Sequence, residues 1–146
     1  MNSFIAAAGN VPESIARPPI VVLQSEAEAL IDLAVSAVGT SPMAAELLLQ
    51  ELDRARTAKP GKLPGDVVSM GSHVLFVDEA SQTRHGVQLV YPREADASSG
   101  RVSVLTLIGA ALIGMRRDGV INWPDRSGRC RLLRILHVAQ PPRPVS

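Results

Sequence analysis

Few residues in this 146-residue chain have the chemistry to attack a bond, move a proton or hold a metal: His73, His85, His137, Cys130 and scattered serines. Metal sites draw Cys, His and carboxylate ligands from close, recurring spacings. The three histidines instead fall in separate segments, "GSHVL", "TRHGV" and "ILHVA", with no cysteine or carboxylate at ligand spacing. Cys130 alternates with Arg129 and Arg131, which places its thiol on the inward face of a strand. A nucleophilic serine needs a partner base. Neither Ser72 nor Ser103 has one nearby, and the Gly-x-Ser-x-Gly elbow is missing. Gly109 and Gly114 of "TLIGAALIG" are not followed by the Lys-Ser/Thr of a phosphate loop. They read as the entry and exit of a short apolar helix. No enzyme, metal or cofactor is expected.

Arg129, Arg131 and Arg134 surround a strand whose apolar residues are Leu132, Leu133, Ile135 and Leu136. Phosphate binding would suit them, but no aromatics interleave for base stacking, so a solvated strand edge is expected. The net charge of +1 gives no reason to expect sequence-specific nucleic-acid binding. Its distribution is uneven. Residues 25–58 carry six acids against two arginines, whereas residues 101–146 carry eight arginines against Asp118 and Asp125. Aromatics are limited to Phe4, Phe76, Tyr91 and Trp123, so an aromatic-walled pocket is hard to build. One cysteine fits a reducing compartment. No stretch reaches the roughly 18 apolar residues of a membrane span, and a cytoplasmic protein is expected.

The elements that would position these residues follow from periodicity. "RPPIVVL" is extended, because proline biases its predecessor away from helix. "SEAEALIDLAVSAV" opens with a capping box, Ser25 and Glu28, and sets Ala27, Leu30, Ile31, Ala34, Val35 and Val38 on one face. Gly39 ends it, and Ser41-Pro42 starts a second helix with face Ala44, Leu47, Leu48, Leu52 and Ala55 and with Glu51 off that face. So short a link implies an antiparallel hairpin with arms of about 20 Å. "AKPGKLPGD" is a linker. Strands follow at "DVVSMGSHVLFVD", with alternation at Val74, Phe76 and a neighbouring Val68, and at "VQLVYP", "RVSVLTL", "DGVINW" and "RCRLLRILHV", with turns at "SQTRHG" and "DRSG" and a helix from Ile108 to Met115. The expected class is α+β. Its parts are a leader at 1–17, a helical hairpin at 18–58, a linker at 59–65, an antiparallel sheet domain with one short helix at 66–138, and a tail at 139–146.

The order of these elements resembles the Gre-type transcription factors. The matching residues are the acidic loop Glu94-Ala95-Asp96, then Ser103-Val104, then "TLIGAALIG", with Ile108, Leu112, Ile113 and Gly114 at the pattern's positions. Asp118, Val120 and Ser127-Gly128 also fit, so the likeness spans about residues 18 to 138. "RPPIVV", "ELDRA", "DVVSMGSHVLF", "LVYP" and the Gly109–Gly114 segment are similar to one branch of that family. That branch implies nucleoside diphosphate kinase as a regulated partner, direct or indirect.

The resemblance implies an FKBP-like C-terminal domain that docks at the secondary channel of RNA polymerase. It also implies a hairpin whose acidic tip holds a metal for transcript cleavage. Here the tip, Val38 to Met43, has no Asp or Glu, so it offers no carboxylate to Mg²⁺. The arms are also shorter than the family's coiled coil. Polymerase binding without cleavage stimulation is therefore expected, with Asp96, Thr106, Leu107 and Gly109 as the contact patch. The family has Ser-Pro where this chain has Thr106-Leu107, and leucine lacks the fixed φ of proline. An FKBP-like fold also raises prolyl isomerase activity, but three aromatics, Phe76, Tyr91 and Trp123, make a thin wall for such a pocket.

Overall fold

A computed structural model describes residues 18–124 and 127–142. The expected leader at 1–17, the first half of the "DRSG" turn and the last four residues of the tail lie outside the described residues. Strand β1 (Val21–Leu23) runs directly into helix α1 (Gln24–Ser36). Residues 37–41 turn the chain into helix α2 (Pro42–Arg54), and strand β2 (Arg56–Ala58) follows. Ser41 is the N-cap residue of α2 and Pro42 stands at its first position, where a missing N–H costs nothing. β2 returns beside β1 in parallel, with Val21 facing Arg56 and Leu23 facing Ala58.

The second part is a five-stranded sheet. It contains β3 (His73–Asp78), β4 (Thr83–Val90), β5 (Arg101–Ser103), β6 (Val120–Pro124) and β7 (Cys130–Ala139), in the order β5-β4-β3-β7-β6. One six-residue helix, α3 (Leu107–Leu112), lies between β5 and β6. Three of the four pairings are antiparallel, as expected, but β4 and β5 run parallel. After β4 the chain passes through two single 3₁₀ turns, Pro92–Glu94 and Ala97–Ser99, and re-enters in the same direction. The β3–β4 turn also differs from expectation. It occupies residues 79–82, with Gln82 at φ 57°, and Thr83 to Gly86 belong to β4. These polar residues sit at an exposed end of the strand, where their composition imitates a turn.

Strand alternation sets Val74 and Phe76, Val87 and Leu89, Leu133 and Ile135, and Ile121 and Trp123 on one face. One hydrophobic core joins this face to both helices of the first part. Leu30, Ala34, Ala45, Leu48, Ala110, Leu112, Leu89 and Ile135 all belong to it. Gly114 fastens the seam at φ 78°: its N–H donates to the Val68 carbonyl at 2.9 Å and its carbonyl accepts from Val21 N–H at 3.1 Å. A Cβ there would stand 3.0 Å from Ile20 Cβ and 3.1 Å from the Val21 carbonyl oxygen. Glycine is required by both the backbone conformation and the space.

Several local expectations need correction. Ser25 and Glu28 form no capping box, because α1 starts two residues earlier than such a cap requires and Leu23 occupies the N-cap position. Ile31 and Val35 of that helix, and Val38 in the turn after it, stay exposed, and burial is confined to Ala27, Leu30, Ala34 and the adjoining Ala37. Glu51 is buried, with 1% of its surface exposed. It lies three residues after Leu48, on the same face, and its carboxylate is held by Arg54 at 2.6 Å. Arg54 also donates to the Pro18 carbonyl at 2.7 Å, tying the end of α2 to the start of β1. Cys130 is exposed, because it stands at the frayed start of β7 and on the face opposite Leu133.

Candidate partner-binding cleft

α3 is too short to cover the whole inner face of the sheet. Its start is capped by Thr106, whose Oγ1 accepts from Gly109 N–H at 3.0 Å and donates to the Ser103 carbonyl at 2.7 Å. Its end comes after two turns, at Ile113, where the chain bends towards Gly114. Residues of β3, β4, β6 and β7 beyond the helix's reach remain open. They form the floor of a cleft of about 810 Å³.

The floor holds Phe76 and Asp78 of β3, His85 and Val87 of β4, Trp123 of β6, and Arg131 and Leu133 of β7. Leu105 to Ile108 make one wall, and Ser41 to Ala44, the first turn of α2, make another. The His85 ring stacks on Phe76 with centroids 5.2 Å apart and planes 24° apart. Among the described residues, the charges on the floor are Asp78 and Arg131, joined in an ion pair. Burial of Asp78 acts to raise its pKa, but the Arg131 guanidinium and the Ala80 N–H outweigh this and hold the carboxyl below its ordinary range. The remaining lining is apolar, apart from Ser41, Thr106 and His85. Such a surface binds apolar side chains by desolvation. Among the described residues no group of three or more His, Cys, Asp or Glu side chains is arranged to hold a metal ion.

The expected contact residues fall in different places. Thr106 and Leu107 line the cleft. Gly109 is buried inside α3 instead of marking its entry, because the Thr106 cap starts the helix two residues earlier. Its absent side chain matters to packing: a Cβ would lie 2.0 Å from the Ser103 carbonyl oxygen. Asp96 does not line the cleft. It caps the second 3₁₀ turn, and hydrogen bonds from Ser98 and Ser99 lower its pKa. The solvated strand edge expected around Arg129, Arg131 and Arg134 is not an edge, because β7 lies between β3 and β6, and Arg131 pairs with Asp78 and Arg134 with Glu79 at 2.8 Å. Sequence reasoning missed the floor residues as a set. The alternation of Phe76 with Asp78, and of Arg131 with Leu133, carried the signal, but strand order was needed to bring them together. Met43 was missed as well, because nothing local ties a helix start to a distant sheet.

Residues 63–140 match the family model described as transcription elongation factor GreA/GreB, C-terminal. The chain is 32% identical over 128 residues to the regulator of nucleoside diphosphate kinase of Escherichia coli K12, covering 88% of this chain and 94% of that protein. It is 37% identical over 129 residues to the transcription elongation factor GreA of Chelativorans sp. BNC1, covering 82% of each. A solved GreA/GreB factor from Nitrosomonas europaea superposes with a TM-score of 0.66 at 33% identity, over 84% of this chain and 99% of that one. The matched region contains α3, the sheet and most of the cleft, so the shared pattern and the shared architecture coincide: this chain belongs to the GreA/GreB transcription elongation factor family.

Proposed function

We propose that this protein is a non-catalytic regulator of transcription. In this reading it docks on RNA polymerase at the secondary-channel entrance through its cleft, competes there with Gre factors, and does not stimulate transcript cleavage. Family membership supports the partner. The observation that carries the mode of action is an open apolar cleft with Thr106 and Leu107 on its wall and no unpaired charge on its floor. Apolar clefts of this kind mark protein-binding sites. The uncharged tip from Val38 to Met43 supports the lack of cleavage stimulation, since Mg²⁺ requires oxygen ligands. Residues 18–58 then act as a short helical hairpin, 59–65 as a linker and 66–138 as an FKBP-like docking domain, in the cytoplasm. No helix among the described residues is long and apolar enough to cross a membrane. The test is binding to purified RNA polymerase with a Gre factor as competitor, together with cleavage of backtracked transcripts. Lack of binding, lack of competition or stimulated cleavage would end this reading.

The likeness to the Escherichia coli regulator of nucleoside diphosphate kinase favours a second reading in which a kinase is the regulated partner. Kinase activity measured with the purified protein added separates direct control from control of kinase synthesis. Isomerase activity has less support. The cleft unites Phe76 and Trp123, but Asp78 is tied to Arg131 and Tyr91 does not line the cleft.

A further inference from the structure

We propose that His73 and His137, brought together on the outer face of the sheet, bind a divalent transition-metal ion such as Zn²⁺ or Cu²⁺. The inference stands apart from the docking reading, because this face is turned away from the cleft. Val74 and Phe76 of β3 pair with Val138 and Ile135 of β7 on the core side. His73 and Leu75 therefore point the other way, opposite Ala139 and His137. That sets the two histidines on a diagonal between adjacent antiparallel strands. Their backbones are about 7–8 Å apart, a separation that aromatic side chains can bridge.

A β-bulge creates this arrangement. The register shifts between Leu75 and Phe76, which leaves Leu136 as an extra residue between Ile135 and His137. Without it, His137 would stand opposite Val74 and face the core. With it, the His137 side chain is exposed, while Ile135 and Val138 are both buried although three residues apart. Bulges re-aim side chains in this way and are over-represented beside functional sites.

His73 and His137 line one pocket of about 220 Å³. Gly86, opposite Leu75, has no side chain to fill it. Gln88 also lines the pocket and stands opposite His73 on the same face. Its Nε2 donates to the Gly71 carbonyl at 3.2 Å, which leaves Oε1 as a third ligand. Among the described residues neither imidazole has a hydrogen-bond partner, so nothing competes for the ring nitrogens. No carboxylate among the described residues lines the pocket. Ca²⁺ and Mg²⁺ take oxygen ligands, carboxylates above all, whereas Zn²⁺ and Cu²⁺ take imidazole. Arg101, opposite Gln88, is cationic, and its repulsion keeps the site weaker than one built with carboxylates.

The test uses the full chain without a histidine tag, treated with EDTA and carrying Cys130→Ser to remove the one thiol. Calorimetric titration should find one Zn²⁺ per chain, Cu²⁺ bound more tightly, and no binding of Ca²⁺. His73→Ala and His137→Ala should each weaken Zn²⁺ binding at least about tenfold. His85→Ala, on the opposite face of the sheet, should bind Zn²⁺ like the parent chain. At ten times Kd, Zn²⁺ should raise Tm by roughly 4 °C, a rise that both histidine variants lose. Melting without metal verifies that the variants fold. If one does not, Zn²⁺-induced shifts of the His73 and His137 imidazole resonances, with His85 unshifted, answer the question in the parent chain. Absence of Zn²⁺ binding overturns the inference, as does binding that survives both replacements or is matched by Ca²⁺. Half an ion per chain would place the metal between two copies and overturn a site within one.

Discussion

Replacing Gly109 by alanine sets two effects of opposite sign against each other. Helix propensity alone favours alanine by about 1 kcal/mol at an interior position. The structure opposes it. The new Cβ would lie 2.0 Å from the Ser103 carbonyl oxygen and 2.9 Å from both Ser103 C and Val104 Cα, and all three are backbone atoms that no side-chain rotation can move. To recover an ordinary contact, α3 must retreat by about 1.4 Å, at an overpacking cost near the top of the usual range, about 3 kcal/mol. The retreat also strains the Thr106 cap on Gly109 N–H, which contributes about 1 kcal/mol. The net loss is then about 2–3 kcal/mol, equivalent to a fall of roughly 6–12 °C in Tm for a chain of this size. Urea and thermal denaturation followed by circular dichroism measure it. Gly39→Ala is the control, because a Cβ there meets nothing within 4 Å. It should change stability by less than about 1 kcal/mol, in the stabilising direction. A Gly109→Ala protein as stable as the wild type would refute the close approach of α3 to Ser103.

Three further outcomes follow from the same structure. Arg54→Ala leaves the Glu51 carboxylate buried without its partner and should cost about 3 kcal/mol, whereas Glu51→Leu combined with Arg54→Leu should recover most of it; urea midpoints give both values. Asp78 has a lowered folded-state pKa, so its contribution is complete above its unfolded value of 3.8 and lost as pH falls through the lower folded value. The stability difference between the wild type and Asp78→Asn should therefore be constant above about pH 5 and shrink below pH 3.8, as urea unfolding across pH will show. Trp123 lines the cleft and is the only tryptophan, so its emission should shift when RNA polymerase occupies the cleft and stay unshifted with the Leu107→Asp variant.

The legible parts of the fold were those with strong local signals. Pro42 at a helix start, the alternation of Val74 with Phe76 and the apolar period of α1 each specify an element, although the strand read from Asp66 begins only at His73. Glu51 shows where local reading stops. Its charge argued for the surface, and only the position of Arg54 and the packing of α2 on the sheet domain explain its burial. The Ser25–Glu28 pattern failed for a related reason: β1 flows into α1 without a break, and the first-turn carboxylate of Glu26 instead accepts from Met70 N–H at 3.3 Å. In the cleft, Thr106 and Leu107 were reached through family resemblance. Phe76, Trp123 and the Asp78–Arg131 pair required the strand order, because ion-pair partners 53 residues apart carry no mutual signal in a single sequence.

The last strand of the chain, β7, lies between β3 and β6 in the sheet. A protein emerging from the ribosome can form its helices early, but this sheet stays split until Cys130–Ala139 are free. Arg131 and Leu133 are among those late arrivals, and they supply part of the cleft floor. A nascent chain is therefore unable to present the complete cleft floor until β7 has left the ribosome. Truncation just before Cys130 would remove the strand that holds the two halves of the sheet together and, with it, Arg131 and Leu133 of the floor.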